Sequence, residues 1–299
     1  MNKNNKIGIM ASDLRQVYMA QFLIEKGYSV FFIATDNLIC DKTYKENINK
    51  ILNFNNGNKF RIIDNIKEFI ELTQVFVTPI PFSKVSEFII IPKFIHMLSE
   101  KEDKTSIFVY TGYISDEFTT LLKNNHINYS DCSKDERQTI YNSISTAEGI
   151  IAEAIINKNT NLHGSNVLVL GFGKCGKTLA LKLKGLNARV YVCARREEDL
   201  SLVYSYGYNA INLHNLIMTI SNYDFIFNTI PSIILDENIL NHVSKDTLIL
   251  DIASQPGGVD KNIANKLGIT VKHVLGIPGK YSPKSSGIAL GNALIELNI

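Results

Sequence analysis

The stretch Val167–Arg196, VLVLGFGKCGKTLALKLKGLNARVYVCARR, contains residues that could bind phosphate in two different ways. Gly171, Gly173 and Gly176 form G-x-G-x-x-G. That spacing turns the chain tightly, admits a pyrophosphate close to the backbone and packs the next helix on the strand. Gly171, Gly176, Lys177 and Thr178 also form G-x-x-x-x-G-K-T, the spacing of a nucleotide-triphosphate loop. Both patterns follow an apolar run and open a helix, whose first N–H groups and positive dipole end favour an anion. Only the first pattern requires Gly173. Ala180, a further small residue beyond Gly176, also suits close helix–strand packing. A dinucleotide fold places its ribose-reading residue about 20 residues past the first glycine. Ala194, Arg195 and Arg196 stand there. No carboxylate is present to take a 2′-hydroxyl, and two guanidinium groups can take a 2′-phosphate. The sequence therefore predicts NADP (NADPH/NADP+), held by Gly171, Phe172, Gly173, Lys174, Cys175, Gly176, Arg195 and Arg196. The triphosphate alternative keeps one argument: TLILD, Thr247–Asp251, imitates a strand ending in a magnesium-binding Asp.

The elements that must position these residues alternate between strand and helix. KIGIM (Lys6–Met10), YSVFFIA (Tyr28–Ala34), QVFVTPIP and SIFVYTG read as buried strands, and SDLRQVYMAQFLIEKG reads as a helix ending at Gly27. Residues 1–140 form a substrate-side α/β domain in this reading, with Asn37–Phe60 as a loop holding a short helix. In SISTAEGIIAEAIIN, Ser145 and Glu148 have capping-box spacing, predicting a connecting helix within 141–160 that begins at Ser145. Residues 161–284 form a second domain with strands Val167–Leu170, Arg189–Cys193, Phe225–Asn228 and Leu248–Ile252. The helix 285–299 is apolar nearly all round and must be buried, against the first domain or in a homo-oligomer. The fold class is thus α/β: two open parallel-sheet domains, the second an NAD(P)-binding Rossmann domain. Ligands of such sheets lie at the carboxyl ends of strands. Asn228, Thr229 and Pro231, and Asp251, Ala253 and Ser254, are the further candidates for cofactor contact.

Composition excludes several classes. The 299 residues are 45% apolar and 20% charged, with a net charge of +2, which gives no strong pull toward nucleic acid or anionic membrane. No apolar run is long enough for a transmembrane helix, and MNKNNKIGIM lacks a signal peptide's apolar core. The 4 cysteines show no C-x-x-C, which suits a reducing cytosol and predicts no metal site.

Together SISTAEGIIAEAI, LVLGFGKCGKTLA, VCARR, DIASQPGGVD and GIPGKYSPKSSG, with SDLRQ near the start, resemble the A-type subunits of bacterial dipicolinate synthase over essentially the whole chain. The resemblance implies NADP-linked oxidation of dihydrodipicolinate to dipicolinate during sporulation, in the mother-cell cytoplasm, jointly with a flavoprotein-like B-type partner. It also implies a cleft between substrate and nucleotide domains. A dicarboxylate substrate needs cationic and N–H partners. Arg15, Lys280, Lys284 and the helix N-terminus at Thr146–Glu148 are the candidates, with Lys280 as a base of lowered pKa. Two alternatives remain open. One is a different NADP-linked dehydrogenase, acting on a 2-hydroxy or 2-amino acid. The other is a cofactor-binding subunit whose partner performs the chemistry.

Overall fold

Short runs rich in Val, Ile and Phe suit strands buried on both faces, and the helices between them cover those faces. The computed structural model describes residues 5–54, 59–101 and 106–297. The chain divides into two compact units, Met1–Tyr141 with Ser282–Ile299, and Asn142–Tyr281.

The first unit contains β1 (Lys6–Ala11), β2 (Ser29–Ala34), β3 (Phe60–Ile62), β4 (Val75–Val77), β5 (Phe108–Thr111) and β6 (Asn128–Asp131). Its helices are α1 (Leu14–Glu25), α2 (Asp36–Ile39), α3 (Lys42–Phe54), α4 (Ile66–Leu72), α5 (Ile91–Ser99) and α6 (Asp116–Asn124). The sheet is parallel, in the order β3-β2-β1-β4-β5-β6. Ile7, Ile9, Val30 and Phe32 fill one face, and Met10, Phe76 and Val109 fill the other. Each such side chain contributes about 1.5–3 kcal/mol by leaving water.

Helix α7 (Glu136–Asn157) contains the boundary between the units. The second unit continues with β7 (Asn166–Leu170), β8 (Arg189–Ala194), β9 (Asn209–Asn212), β10 (Phe225–Asn228), β11 (Leu248–Asp251) and β12 (Thr270–His273). Its helices are α8 (Lys174–Gly185), α9 (Glu197–Ser205), α10 (Glu237–Leu240), α11 (Lys261–Leu267) and α12 (Ile277–Tyr281). Its sheet order, β12-β11-β10-β7-β8-β9, repeats that of the first unit. In each sheet the first strand lies beside the fourth, so strand order reverses there. This is the doubly wound plan in which ligands bind at the carboxyl ends flanking the reversal. The last helix, α13 (Pro283–Glu296), belongs to the first unit and packs on α1. A Cβ on Gly287 would run into the Arg15 carbonyl, and one on Gly291 would run into the Phe22 ring, so glycine permits this close approach.

Two local expectations are corrected. Much of the segment read as a loop is the helix α3, while residues 55–58 of it lie outside the described residues. Helix α7 begins well before Ser145. Asp135 caps it, its carboxylate accepting from Arg137 N at 2.8 Å and Gln138 N at 3.3 Å. The Ser145–Glu148 spacing is therefore helix interior, and Glu148 instead pairs with Lys182 at 2.8 Å.

Candidate dinucleotide site

The β7–α8 turn gives each glycine a separate task. Gly171 has φ +98°, which side-chain-bearing residues rarely adopt, and a Cβ there would lie 2.5 Å from Thr229 Oγ1. Gly176 faces the Gly171 carbonyl so closely that a Cβ would collide with it. Gly173 differs: a Cβ there would meet nothing within 4 Å. Gly173 is also the N-cap of α8, and no side chain caps the helix there. The positive end of α8 thus opens onto unfilled space, which fits a pyrophosphate.

The other turn residues support this arrangement. Phe172 is buried, its ring 6.1 Å from that of Tyr206, and the Lys177 ammonium stands 5.2 Å from the Phe172 centroid. Lys174 is exposed, and Cys175 is half-buried with its thiol pKa pushed up by burial. That thiol is a filler rather than a ready nucleophile. Arg195 and Arg196 are exposed where β8 ends, and Arg196 is the N-cap of α9.

The same geometry removes the triphosphate reading. Helix α8 already begins at Lys174, so Gly176, Lys177 and Thr178 lie inside it, and Lys177 N donates to Gly173 O at 2.9 Å. Thr178 Oγ1 is hydrogen-bonded to Ser143 Oγ of α7 at 2.8 Å, where it serves packing and not a magnesium ion. Asp251 is fully buried. One of its carboxylate oxygens accepts from Asn228 Nδ2 at 2.8 Å and Ala253 N at 3.0 Å, and the other accepts from Gly258 N at 2.9 Å. Among the described residues no group of three or more His, Cys, Asp or Glu could hold a metal ion.

The strand-end candidates therefore divide. Asn228 is wholly buried: its amide also donates to Ile230 O at 3.0 Å and accepts from Ile230 N at 3.2 Å. Asn228 and Asp251 brace the ends of β10 and β11, with both side chains wholly buried and bonded to each other. Thr229 Oγ1 donates to Leu170 O at 2.8 Å, tying β10 to the glycine turn. Pro231 and Ser254 are exposed, whereas Ala253 is buried and its carbonyl hydrogen-bonds His273 Nε2 at 2.9 Å.

The substrate candidates are also sorted. Thr146 lies mid-helix, its hydroxyl donating to Asn142 O at 2.8 Å. The backbone N–H groups of Thr146–Glu148 are helix-interior groups, not a free N-terminus, which corrects the anion-site expectation. Lys280 is exposed and donates to Glu153 Oε1 at 2.7 Å, and the Tyr281 hydroxyl bonds the same oxygen. The hydrogen bond that Lys280 donates to Glu153 raises its pKa and favours the ammonium form, the opposite of the expected base.

Arg15 is nearly buried. Its Nε lies 3.0 Å and its Nη2 2.7 Å from the Asp13 carboxylate, and Nη2 also donates to Ile80 O at 3.2 Å. Burial works to raise the Asp13 pKa, but the hydrogen bonds and charge of Arg15 outweigh it and hold Asp13 below its ordinary value. Lys284 is exposed in the first turn of α13, and Gly287, one turn on, packs against the Arg15 carbonyl. The structure thus brings the starts of α1 and α13 to one region of the first unit. Sequence reading takes Ser12 or Asp13 as the cap of α1 but missed the pairing of Asp13 with Arg15, and it missed Asp199, the partner of Arg196. Both were signalled, by the Asp13–Gln16 capping-box spacing and by the (i, i+3) spacing of Arg196 and Asp199.

Comparison with known proteins agrees with this geometry. Residues 151–276 match the family model described as shikimate/quinate 5-dehydrogenase, which places a nicotinamide-dinucleotide-binding fold in the second unit. The dipicolinate synthase A-type protein of Bacillus subtilis (strain 168) is 41% identical over 158 residues, a stretch covering 53% of this chain and 53% of that protein. The crystal structure of its counterpart from Bacillus halodurans superposes with a TM-score of 0.81 at 24% identity, covering 98% of this chain and 97% of that one. The crystal structure of the Bacillus subtilis protein gives 0.79 at 25% identity, covering 98% and 95%. The aligned sequence spans about half of the curated relative, whereas the fold is shared almost end to end. The resemblance read from the sequence motifs is borne out: the chain is similar to the A-type subunits of dipicolinate synthase.

Proposed function

We propose that the chain is an NADP-linked oxidoreductase that oxidises dihydrodipicolinate to dipicolinate, in the mother cell of a sporulating bacterium and together with a B-type partner. The observation that carries the cofactor part is the open N-terminus of α8 at Gly173, flanked by the Gly171 and Gly176 close contacts. The basic strand end at Arg195 and Arg196 supports NADP over NAD. Bound nicotinamide would supply hydride transfer, and the chain's own residues bind and orient. The Gly171–Gly176 turn would hold the pyrophosphate, and the buried Asn228–Asp251 brace keeps the strand ends around it rigid. The substrate assignment rests on the similarity to the A-type dipicolinate synthase proteins. Lys284, exposed in the first turn of α13 beside the Asp13-paired Arg15, is the cation that fits a carboxylate.

A second reading is favoured by the state of Lys280. Its pairing with Glu153 at 2.7 Å favours the ammonium form over a proton acceptor, and the chain could be a cofactor-binding subunit whose partner completes the chemistry. One experiment separates the two. The purified chain is incubated with dihydrodipicolinate and NADP+, with and without the B-type partner, and dipicolinate and NADPH are followed together. Turnover by the chain alone supports the first reading. Cofactor binding with turnover only in the presence of the partner supports the second. Dipicolinate formed without NADPH in either mixture removes the NADP-linked account.

A further inference from the structure

We propose that Asp199 sets the cofactor preference of the glycine-turn site by occupying Arg196, leaving Arg195 as the residue that meets a 2′-phosphate. This rests on the dinucleotide reading above. Asp199 lies in the first turn of α9, three residues past Arg196, a spacing at which helical side chains meet. Its Oδ2 accepts from Arg196 Nε at 2.7 Å and its Oδ1 from Nη2 at 3.0 Å. That two-pronged pairing uses a guanidinium edge that a phosphate would otherwise take. The Asp199 side chain is only 16% exposed while that of Arg196 is 67% exposed, so the carboxylate is the anchored partner. The Arg196 hydrogen bond, opposed by partial desolvation and helped by the charges of Arg196 and Lys177, holds the Asp199 carboxyl below its ordinary value.

The surroundings reinforce the effect. Glu197, Glu198 and Asp199 all stand in the first turn of α9. Glu197 is itself held by Asn212 Nδ2 at 3.0 Å. A doubly charged 2′-phosphate reaching Arg196 meets a neutralised pair among carboxylates, while an uncharged 2′-hydroxyl meets no such opposition. Arg195 has no carboxylate partner among the described residues. The site thus carries an internal anion that competes with the 2′-phosphate, and its preference for NADPH over NADH is modest and depends on Arg195.

The test is fluorescence titration of the full chain with NADPH and with NADH, in the wild type and in D199N, R196A, R195A and D199N/R196A. Removing the competing charge should raise the NADPH-over-NADH preference about tenfold in D199N. The double variant should return it to within about twofold of wild type, because the gain comes from freeing Arg196. R195A should lose about tenfold, far more than R196A. The far-ultraviolet circular dichroism spectrum and the melting temperature serve as the folding check for each variant, and D199S carries the same expectation if D199N melts early. An unchanged or lowered preference in D199N, or equal losses in R195A and R196A, would overturn the proposal. A wild-type chain that binds neither dinucleotide would overturn the dinucleotide reading itself, and this proposal with it.

Discussion

The two units share one strand order but finish their first strand–helix turn in opposite ways. In the first unit, Asp13 closes the start of α1: its carboxylate accepts from Arg15 N at 2.9 Å, and Gln16 Oε1 accepts from Asp13 N at 3.0 Å. The anion at that helix end is the protein's own, and Arg15 neutralises it. In the second unit, Gly173 stands at the N-cap with no side chain, and the space beside it is open. A doubly wound sheet therefore provides a place for a phosphate, but the turn residues decide whether the place is free. Topology is common to both units, and the dinucleotide chemistry belongs to one.

The largest effect expected from breaking this contrast comes from carrying the first unit's device into the second. Gly173 has φ −76°, so another residue fits its backbone without strain. Gly173→Asp should weaken NADPH binding more than about 100-fold, since the new carboxylate takes the helix end and repels the pyrophosphate. The same variant should unfold at the same temperature as wild type or slightly higher, as calorimetry would show. The reciprocal change, Asp13→Ala, removes a helix cap and leaves a nearly buried guanidinium without its carboxylate. It should cost about 3 kcal/mol in urea unfolding and create no dinucleotide binding in the first unit.

Acid sharpens the same point. Asp13 has a lowered folded pKa, so its contribution is present above the ordinary carboxylate pKa and is lost as pH falls through the folded value. Unfolding measured as a function of pH should show this acid-side loss in the wild type, and Asp13→Asn should show a smaller one. Thr178→Ala should cost about 1 kcal/mol through the lost Ser143 contact, with NADPH affinity nearly unchanged. The smallest effect is expected of Glu153→Gln, which weakens the Lys280 and Tyr281 contacts and should lower the melting temperature by about 1–2 °C.

The sequence made the interior legible and the margins obscure, for a physical reason. Val167–Leu170, Phe225–Asn228 and Leu248–Asp251 are buried on both faces and read as apolar runs. The strands that escaped notice, β3, β6, β9 and β12, are the four sheet edges, and FRI, NYSD, NAIN and TVKH are only partly buried. The helix start assigned to Ser145 failed because a capping-box spacing also occurs within helices, and Asp135 is the side chain that caps α7. The glycine turn was legible because Gly171 and Gly176 answer to steric demands that few residues meet, and Gly173 completes the spacing. Lys280 was misread because its partner Glu153 lies far away in sequence, and no local pattern reveals a contact across 127 positions.

The most direct test of a free helix end in one unit and a closed one in the other is peptide-resolved hydrogen exchange of the wild-type chain with and without saturating NADPH. Slowed exchange is expected in the peptides spanning Gly171–Lys177 and the end of β10, with none at Ala11–Arg15. Protection at Ala11–Arg15, or protection of the glycine turn by Mg-ATP and not by NADPH, would contradict it.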